Sequence, residues 1–372
     1  MEILPTDDQQ TLADTIGRML RERYGMETRD GLLKSELGYS DEMWGRYAEL
    51  GLLGLPFGED VGGAGMGFDE VAVVMEEFGK GLALEPYLAT VVLGGGLVDE
   101  VGTNEQKQEV LSKVAEGELK LAFAGTEPGS RWSATDIDTK AEQNGDEWAV
   151  TGEKSGVLGG NTAGKYIVSA KTTDGIALFL VDADAEGVVI DSYRQQDGFG
   201  AARVLFKSAK AQRLGDGDAT EAIAKITDRA IAAVCAEAAG AMTASLNMTV
   251  DYLKTRHQFG VAIGSFQALQ HRASDMYMTL EQARSAAVMA RLAVGEDGNR
   301  NDLLAAKIQI DLAARHISQE SVQMHGGIGM TMEYPIGHYV KRLTVIPRSF
   351  GDIDGHIKAL ALAGGLTSAS TD

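Results

Sequence analysis

The chain has 372 residues and is 44% hydrophobic, enough for a large core divided among two or three packed units. Its formal net charge of −20 at pH 7 repels a nucleic-acid backbone, and no basic stripe offsets it, so nucleic acid is not an expected partner. The single cysteine, Cys235, excludes an internal disulfide framework. No stretch approaches about 18 apolar residues without a charge, and MEILPTDDQQ lacks the basic and apolar regions of a signal peptide. The expectation is a cytoplasmic chain without a membrane span.

The first third reads as helical. Thr6 and Gln9 form a capping-box pair, and Leu12, Ile16, Met19 and Leu20 follow at helical spacing. Met43, Tyr47 and Leu50 predict a second helix ending at Gly51, and glycines interrupt the helical signal in LPFGEDVGGAGMGF (55–68). Helix returns at 69–80 and at 104–116. From 120 the pattern changes to short runs rich in β-branched and aromatic residues: Trp148–Thr151, Tyr166–Ser169, Ile176–Val181, Gly187–Ile190 and Arg203–Phe206. Asn144-Gly145-Asp146 and Asp174-Gly175 are hairpin breaks. This predicts an antiparallel β unit. From 217 helix dominates again, with a long Ala-rich stretch over 219–255. In 273–295, Met276, Leu280, Ala283, Ala287 and Ala290 form one buried stripe, and Leu304, Ile308 and Leu312 form another in 302–324. Long amphipathic helices joined by short loops predict a helical bundle. The tail from Gly364 to Asp372 is small and polar and is expected to fray. The predicted class is α+β, with a helical domain over 1–119, a β domain over 120–216 and a helical bundle over 217–372.

Strand–helix alternation and a G-x-G-x-x-G turn are both missing, which argues against a Rossmann domain. There is no P-loop and no His-Cys metal cluster. Two other features carry chemistry. Arg256 offers a planar, permanently charged fork suited to an anionic group, although a helix-end salt bridge is the alternative use. Gln258 adds neutral hydrogen bonds, and Phe259-Gly260 is read as the helix stop. In Gln323-Met324-His325-Gly326-Gly327-Ile328-Gly329, the glycines let a flat group approach the backbone without a Cβ in the way. A plain helix stop is the alternative for Gly326-Gly327.

YLKTRHQFGVAIGSFQALQHRASDM (252–276), VQMHGGIGMTMEYPIGHYVKR (322–342), FGDIDGHIKALA (350–361) and ELGLLGLPFGEDVGGAGMGF (49–68) together resemble the acyl-CoA dehydrogenase family over nearly the whole chain. The wording is closest to bacterial members of dicarboxylate, steroid and aromatic side-chain breakdown, the pimeloyl-CoA dehydrogenase small subunit among them. The resemblance implies three domains (helical, β, and four-helix bundle) and FAD as cofactor. It implies that Arg256, Gln258, Phe259, Gly260, Gln323, Gly326, Gly327 and Gly329 bind the ADP half of an FAD whose flavin sits mainly in a neighbouring subunit. The chain is then an obligate oligomer, usually a dimer of dimers. The implied reaction oxidises the Cα–Cβ bond of an acyl-CoA to a trans-2-enoyl-CoA, with an electron-transfer flavoprotein as acceptor.

A carboxylate must remove the Cα proton, and the family places it at one of two positions. Here these match Asp352 in Phe350-Gly351-Asp352-Ile353-Asp354-Gly355-His356, and Asp228 in Thr227-Asp228-Arg229. Both are one methylene shorter than the family's Glu. Arg229 matches a CoA or substrate contact. The flavin loop keeps its opening at Thr126-Glu127-Pro128, with Thr126 as the implied cofactor contact. The family's W-I-T or W-I-S aligns with Gly156-Val157-Leu158, so the hydroxyl is lost at Leu158. Three readings stay open. The chain is catalytic as a homo-oligomer, or it is a partner subunit lending its ADP site to a paralogous dehydrogenase chain, or it is an oxidase-like flavin enzyme on the same fold.

Overall fold

The structure is a computed structural model and describes residues 4–145, 147–331 and 333–364. The capping box forms as expected. Thr6 Oγ1 accepts from the Gln9 amide, the Gln9 side chain accepts from the Thr6 amide, and helix α1 (Asp7–Arg23) follows. Then come α2 (Met26–Lys34), α3 (Asp41–Glu49), α4 (Phe68–Gly81), a π-helical stretch at Leu88–Gly95, α5 (Gly96–Val101) and α6 (Asn104–Ala115). The expected helices at 69–80 and 104–116 are therefore α4 and α6. Helix α2, the π-helical stretch and α5 lack a clear apolar period, so the sequence does not announce them.

The β elements are β1 (Leu121–Ala124), β2 (Lys140–Asn144), β3 (Glu147–Leu158), β4 (Lys165–Thr172), β5 (Gly175–Asp182), β6 (Val188–Arg194) and β7 (Gly200–Leu214). Two of these strands, β1 and β2, were not expected, and the direction of pairing differs as well. The sheet is mixed, because β4 pairs in parallel with both β1 and β2, while every other pairing among these strands is antiparallel. The pairing β4–β2–β3–β7–β5 returns to β4 and closes the sheet on itself, leaving no open edge within that ring. Its core holds Tyr166, Phe179, Phe206 and Val150.

Helix α7 (Thr220–Thr255) is followed by the short strands β8 (His257–Gln258) and β9 (Val261–Ala262). Helices α8 (Gln267–Ala293), α9 (Arg300–His325), α10 (Ile336–Val345) and α11 (Ile353–Leu362) complete the order. The expected tail beyond Gly364 and the turn residue Asp146 lie outside the described residues. By length and composition α7 is apolar enough to cross a bilayer, yet 78% of its apolar window is buried inside the protein.

The division at 1–119, 120–216 and 217–372 follows element type. By contact, the chain groups into two compact units. One comprises Met1–Arg29, Phe68–Ala83 and Ile231–Asp372, and the other Asp30–Gly67 and Leu84–Ala230. In the first, α4 and α7 approach backbone to backbone. A Cβ on Gly79 would lie 2.0 Å from the Glu237 carbonyl oxygen, and one on Gly240 would lie 1.9 Å from that of Glu76. Glu237 also receives Arg342 of α10, Nε to Oε1 at 2.6 Å and Nη2 to Oε2 at 2.5 Å. In the second unit, Glu85 takes the Ser40 amide and the Tyr47 hydroxyl, and Trp44 Nε1 donates to the Gly117 carbonyl at 3.0 Å.

Gly240 offers a test with a reversed sign. Gly→Ala inside a helix normally stabilises by about 1 kcal/mol. Here the new methyl must displace the α4 backbone, so G240A is expected to destabilise by about 2 kcal/mol or more. Chemical denaturation midpoints read this directly, and a variant as stable as wild type would contradict the close crossing.

Candidate functional site

Arg256 is the first residue after α7, and its amide still donates to the Tyr252 carbonyl at 2.8 Å. Its side chain is exposed. Among the described residues its guanidinium makes no hydrogen bond or ion pair, so the alternative of a helix-end salt bridge is not realised. Gln258 is likewise exposed. The Phe259-Gly260 expectation needs correcting. The pair does not stop the helix, which has already ended at Thr255. It forms the tip of the β8–β9 hairpin, with φ of 54° and 84°, the left-handed geometry that a two-residue turn requires. Phe259 stands 91% exposed there.

The second element is the end of α9. Gln323 is exposed on the last turn, and Gly326 caps the helix with φ 64°. The three glycines have different physical reasons. Gly326 supplies the left-handed turn. Gly329 is buried, and a Cβ there would lie 2.9 Å from the His325 Cβ. Gly327 has an ordinary φ, and a Cβ there would meet nothing within 4 Å, so nothing in the chain's own packing calls for glycine. A flat ligand laid on this backbone would.

Two residues that the motif reading passed over join these elements. Tyr252, one turn before Arg256, stacks on His325 with ring centroids 4.5 Å apart and planes at 28°. Tyr334 closes on both rings, 5.0 Å from His325 and 5.9 Å from Tyr252. The i, i+4 spacing of Tyr252 and Arg256 was the available signal. A free guanidinium, an exposed amide side chain and a bare glycine backbone fit a pyrophosphate with its adenosine.

Asp352 caps α11, with Oδ1 accepting from the Gly355 amide at 2.8 Å. It is half-buried and lines a cavity of about 900 Å³ together with Gln323, Gln319, Arg315, Arg348 and Asp311. Beneath it, Lys307 Nζ bonds Asp311 Oδ1 at 2.6 Å and Oδ2 at 2.8 Å, with both side chains fully buried. Burial pushes Asp311 up to about 6 against the pull of Lys307. His356 packs on Gly351 so closely that a Cβ there would sit 2.4 Å from its Cε1. Burial, with Lys307 and Arg300 adding repulsion, pulls His356 down to about 4.

The remaining candidates belong to the other unit. Thr126 Oγ1 donates to the Ser155 carbonyl at 2.6 Å, and the Ser155 amide returns to the Thr126 carbonyl at 2.9 Å. Lys154, fully buried, donates to the Gly125 carbonyl at 3.0 Å, to Glu127 Oε1 at 3.0 Å and to Ser169 Oγ at 3.2 Å. Glu127 also accepts from the Asp138 and Thr139 amides at 2.6 and 2.9 Å. Burial alone would raise Glu127, but these bonds hold it at about 2. Opposite Thr126, Gly156 (φ 65°) sits in a β-bulge, and Leu158 pairs with Ala201 without a hydroxyl to offer. Asp228 is half-buried and engaged within the chain. Arg229 has its Nε buried without a hydrogen-bond partner.

A helical–β–helical order with a middle β domain is the architecture of a flavin-dependent dehydrogenase. Residues 6–118, 122–208 and 220–361 match, in that order, the N-terminal, middle and C-terminal domains of acyl-CoA dehydrogenase. The "Probable acyl-CoA dehydrogenase YngJ" of Bacillus subtilis is 32% identical over 336 residues, covering 86% of this chain and 87% of that protein. The ChsE4-ChsE5 complex from Mycobacterium tuberculosis is similar at TM-score 0.91 and 26% identity, covering 99% of this chain and 100% of the matched one. Butyryl-CoA dehydrogenase from Megasphaera elsdenii is similar at TM-score 0.88 and 25% identity, over 98% and 99% of the two chains. The chain belongs to the acyl-CoA dehydrogenase family: FAD-dependent oxidoreductases acting on CH–CH groups.

The buried imidazole makes a testable pH dependence. His356 sits at about 4 when folded and near the ordinary imidazole value of about 6.5 when unfolded, so the unfolded chain takes up this proton first as pH falls. Its contribution is complete above pH 6.5 and is lost between 6.5 and 4, by up to about 3 kcal/mol. Asp311 titrates in the opposite sense, so the readout is the difference between wild type and H356Q. The stability advantage of wild type is expected to shrink over that window, and a constant difference would show that His356 is not held neutral.

Proposed function

We propose that this chain acts in FAD-dependent α,β-dehydrogenation of an acyl-CoA as one subunit of a hetero-oligomer. It contributes Arg256, Gln258, the Phe259-Gly260 tip, Gln323 and Gly326, Gly327 and Gly329 to the ADP half of FAD. A paralogous dehydrogenase subunit contributes the catalytic carboxylate and most of the flavin pocket. The observation that carries this reading is an asymmetry. The guanidinium of Arg256 is exposed and uncommitted, whereas Asp352 is a half-buried helix cap and Leu158 has replaced a hydroxyl. The ChsE4-ChsE5 relative, described as a complex of two named components, supports it.

FAD, when bound, accepts hydride from Cβ. The chain's own share is positional. Arg256 neutralises pyrophosphate charge inside a protein of net charge −20, and the bare Gly327 backbone lets the adenosine lie close. The base must be desolvated and aimed at Cα while the thioester carbonyl is polarised, tasks assigned to the paralogue. An electron-transfer flavoprotein is the proposed acceptor and the cytoplasm the proposed location.

One observation favours a second reading, in which Asp352 is the base and the chain is catalytic as a homo-oligomer, with Asp228 and Arg229 as the alternative base and CoA contact. Asp352 and Gln323 line the same cavity, and Asp352 Oδ2 makes no hydrogen bond among the described residues.

Expression alone and with a paralogue separates the two. The proposal expects little bound flavin in the chain alone, and a yellow complex bleached by acyl-CoA after co-expression. In that complex, D352N retains the helix cap and is expected to change kcat by less than about threefold, against a loss of a hundredfold or more for a true base. Full flavinylation of the chain alone, with turnover abolished by D352N, would establish the second reading instead.

A further inference from the structure

His325 has no assigned role between Gln323 and Gly326, yet it is the most constrained side chain in the turn. It is 3% exposed, although the residues at 323, 326 and 327 around it are exposed. Its Nδ1 bonds the Ser321 carbonyl at 2.8 Å. A carbonyl only accepts, so Nδ1 carries the proton and Nε2 the lone pair. Nε2 is buried without a hydrogen-bond partner among the described residues, and burial lowers the affinity of the ring for a second proton. The ring is therefore a neutral imidazole of fixed tautomer. One face stacks on Tyr252 at 4.5 Å, Tyr334 packs at 5.0 Å, and its Cβ lies against Gly329.

Tyr252 lies in the last turn of α7 and Arg256 directly follows that helix, while His325 is the last residue of α9. Through this stack, the position of the α9 turn dictates the position of the α7 end. Thr249 Oγ1 to Ser321 Oγ at 3.3 Å ties the same two helices one turn further back. We propose that His325 is a positioning residue of the dinucleotide half-site: its imidazole, stacked on Tyr252, sets the separation between the Arg256 guanidinium and the Gly326-Gly327 backbone, so that one pyrophosphate-adenosine unit meets both. This rests on the reading that those two elements hold the ADP half of FAD.

The assembled, FAD-loaded complex provides the test, with the FAD dissociation constant as readout and flavin absorption at saturation as a control for the ring environment. H325A is expected to raise the dissociation constant by about tenfold without moving the flavin bands, and H325F, which keeps the stack, by no more than about threefold. If H325A fails to assemble, Y252L removes the same contact from the half-buried helix surface and is expected to give the same loss. Because His325 acts through Arg256, H325A in an R256A background is expected to add less than about threefold. Unchanged affinity in both H325A and Y252L, or a full tenfold loss on top of R256A, would overturn the inference while leaving the half-site reading intact. An R256A complex that retains FAD as tightly as wild type would remove the half-site reading and the inference together.

Discussion

Helices α4 and α7 cross so closely that neither backbone has room for a β-carbon at Gly79 and Gly240, and the placement of the proposed dinucleotide half-site depends on that contact. Gly79 and Gly240 each place their Cα against a carbonyl oxygen of the other helix. Arg342 then locks Glu237 from α10 in a two-pronged, nearly fully buried ion pair. A helix of 36 residues is a long lever, and small rotations at one end move the other by ångströms. Fixing α7 where it crosses α4 fixes where Tyr252 and Arg256 emerge, and hence what they meet at the end of α9.

Charge is used sparingly inside this acidic chain. Lys307–Asp311, Lys154–Glu127 and Arg342–Glu237 are each buried or nearly so. Such pairs contribute modestly to net stability, because desolvation offsets much of their attraction, but they penalise any arrangement that separates the partners. Two of the three close a segment next to a candidate functional residue. Lys154 and Glu127 clamp the strand end and loop around Thr126, and Lys307 and Asp311 underlie the turn that carries Asp352. Arg256 differs in lying exposed and uncommitted at the protein surface. An exposed cation with no partner among the described residues is available to a ligand outside the chain, which is the role proposed for it.

Much of the fold was legible in the sequence because its helices carry strong apolar periods and clear caps. Thr6 with Gln9, the stripe through Met276, Leu280, Ala283 and Ala290, and the Asp174-Gly175 hairpin are local signals, and the structure realises them, whereas Ala287 of that stripe is only half-buried and Leu312 of the second expected stripe is exposed. The strands β1 and β2 were missed because four or five residues with little alternation acquire strand character only by pairing, β1 with β4 and β2 chiefly with β3. That long-range pairing also makes the sheet mixed. Phe259-Gly260 was misread for a related reason. A glycine after a helix signals a left-handed residue, but the sequence does not say whether that residue ends a helix or turns a hairpin.

Composition, capping and spacing by themselves determined the order of helical, β and helical segments, and the two motifs through which the chain declares its family. Those properties depend on neighbours within a turn or two of the chain. Only the tertiary structure decided that Arg256 has no ion-pair partner among the described residues, that Asp352 is a helix cap, that a Cβ on Gly327 would meet nothing, and that Tyr252 stacks on His325 between the two motifs. Each of these depends on residues distant in sequence, or on the absence of neighbours in space.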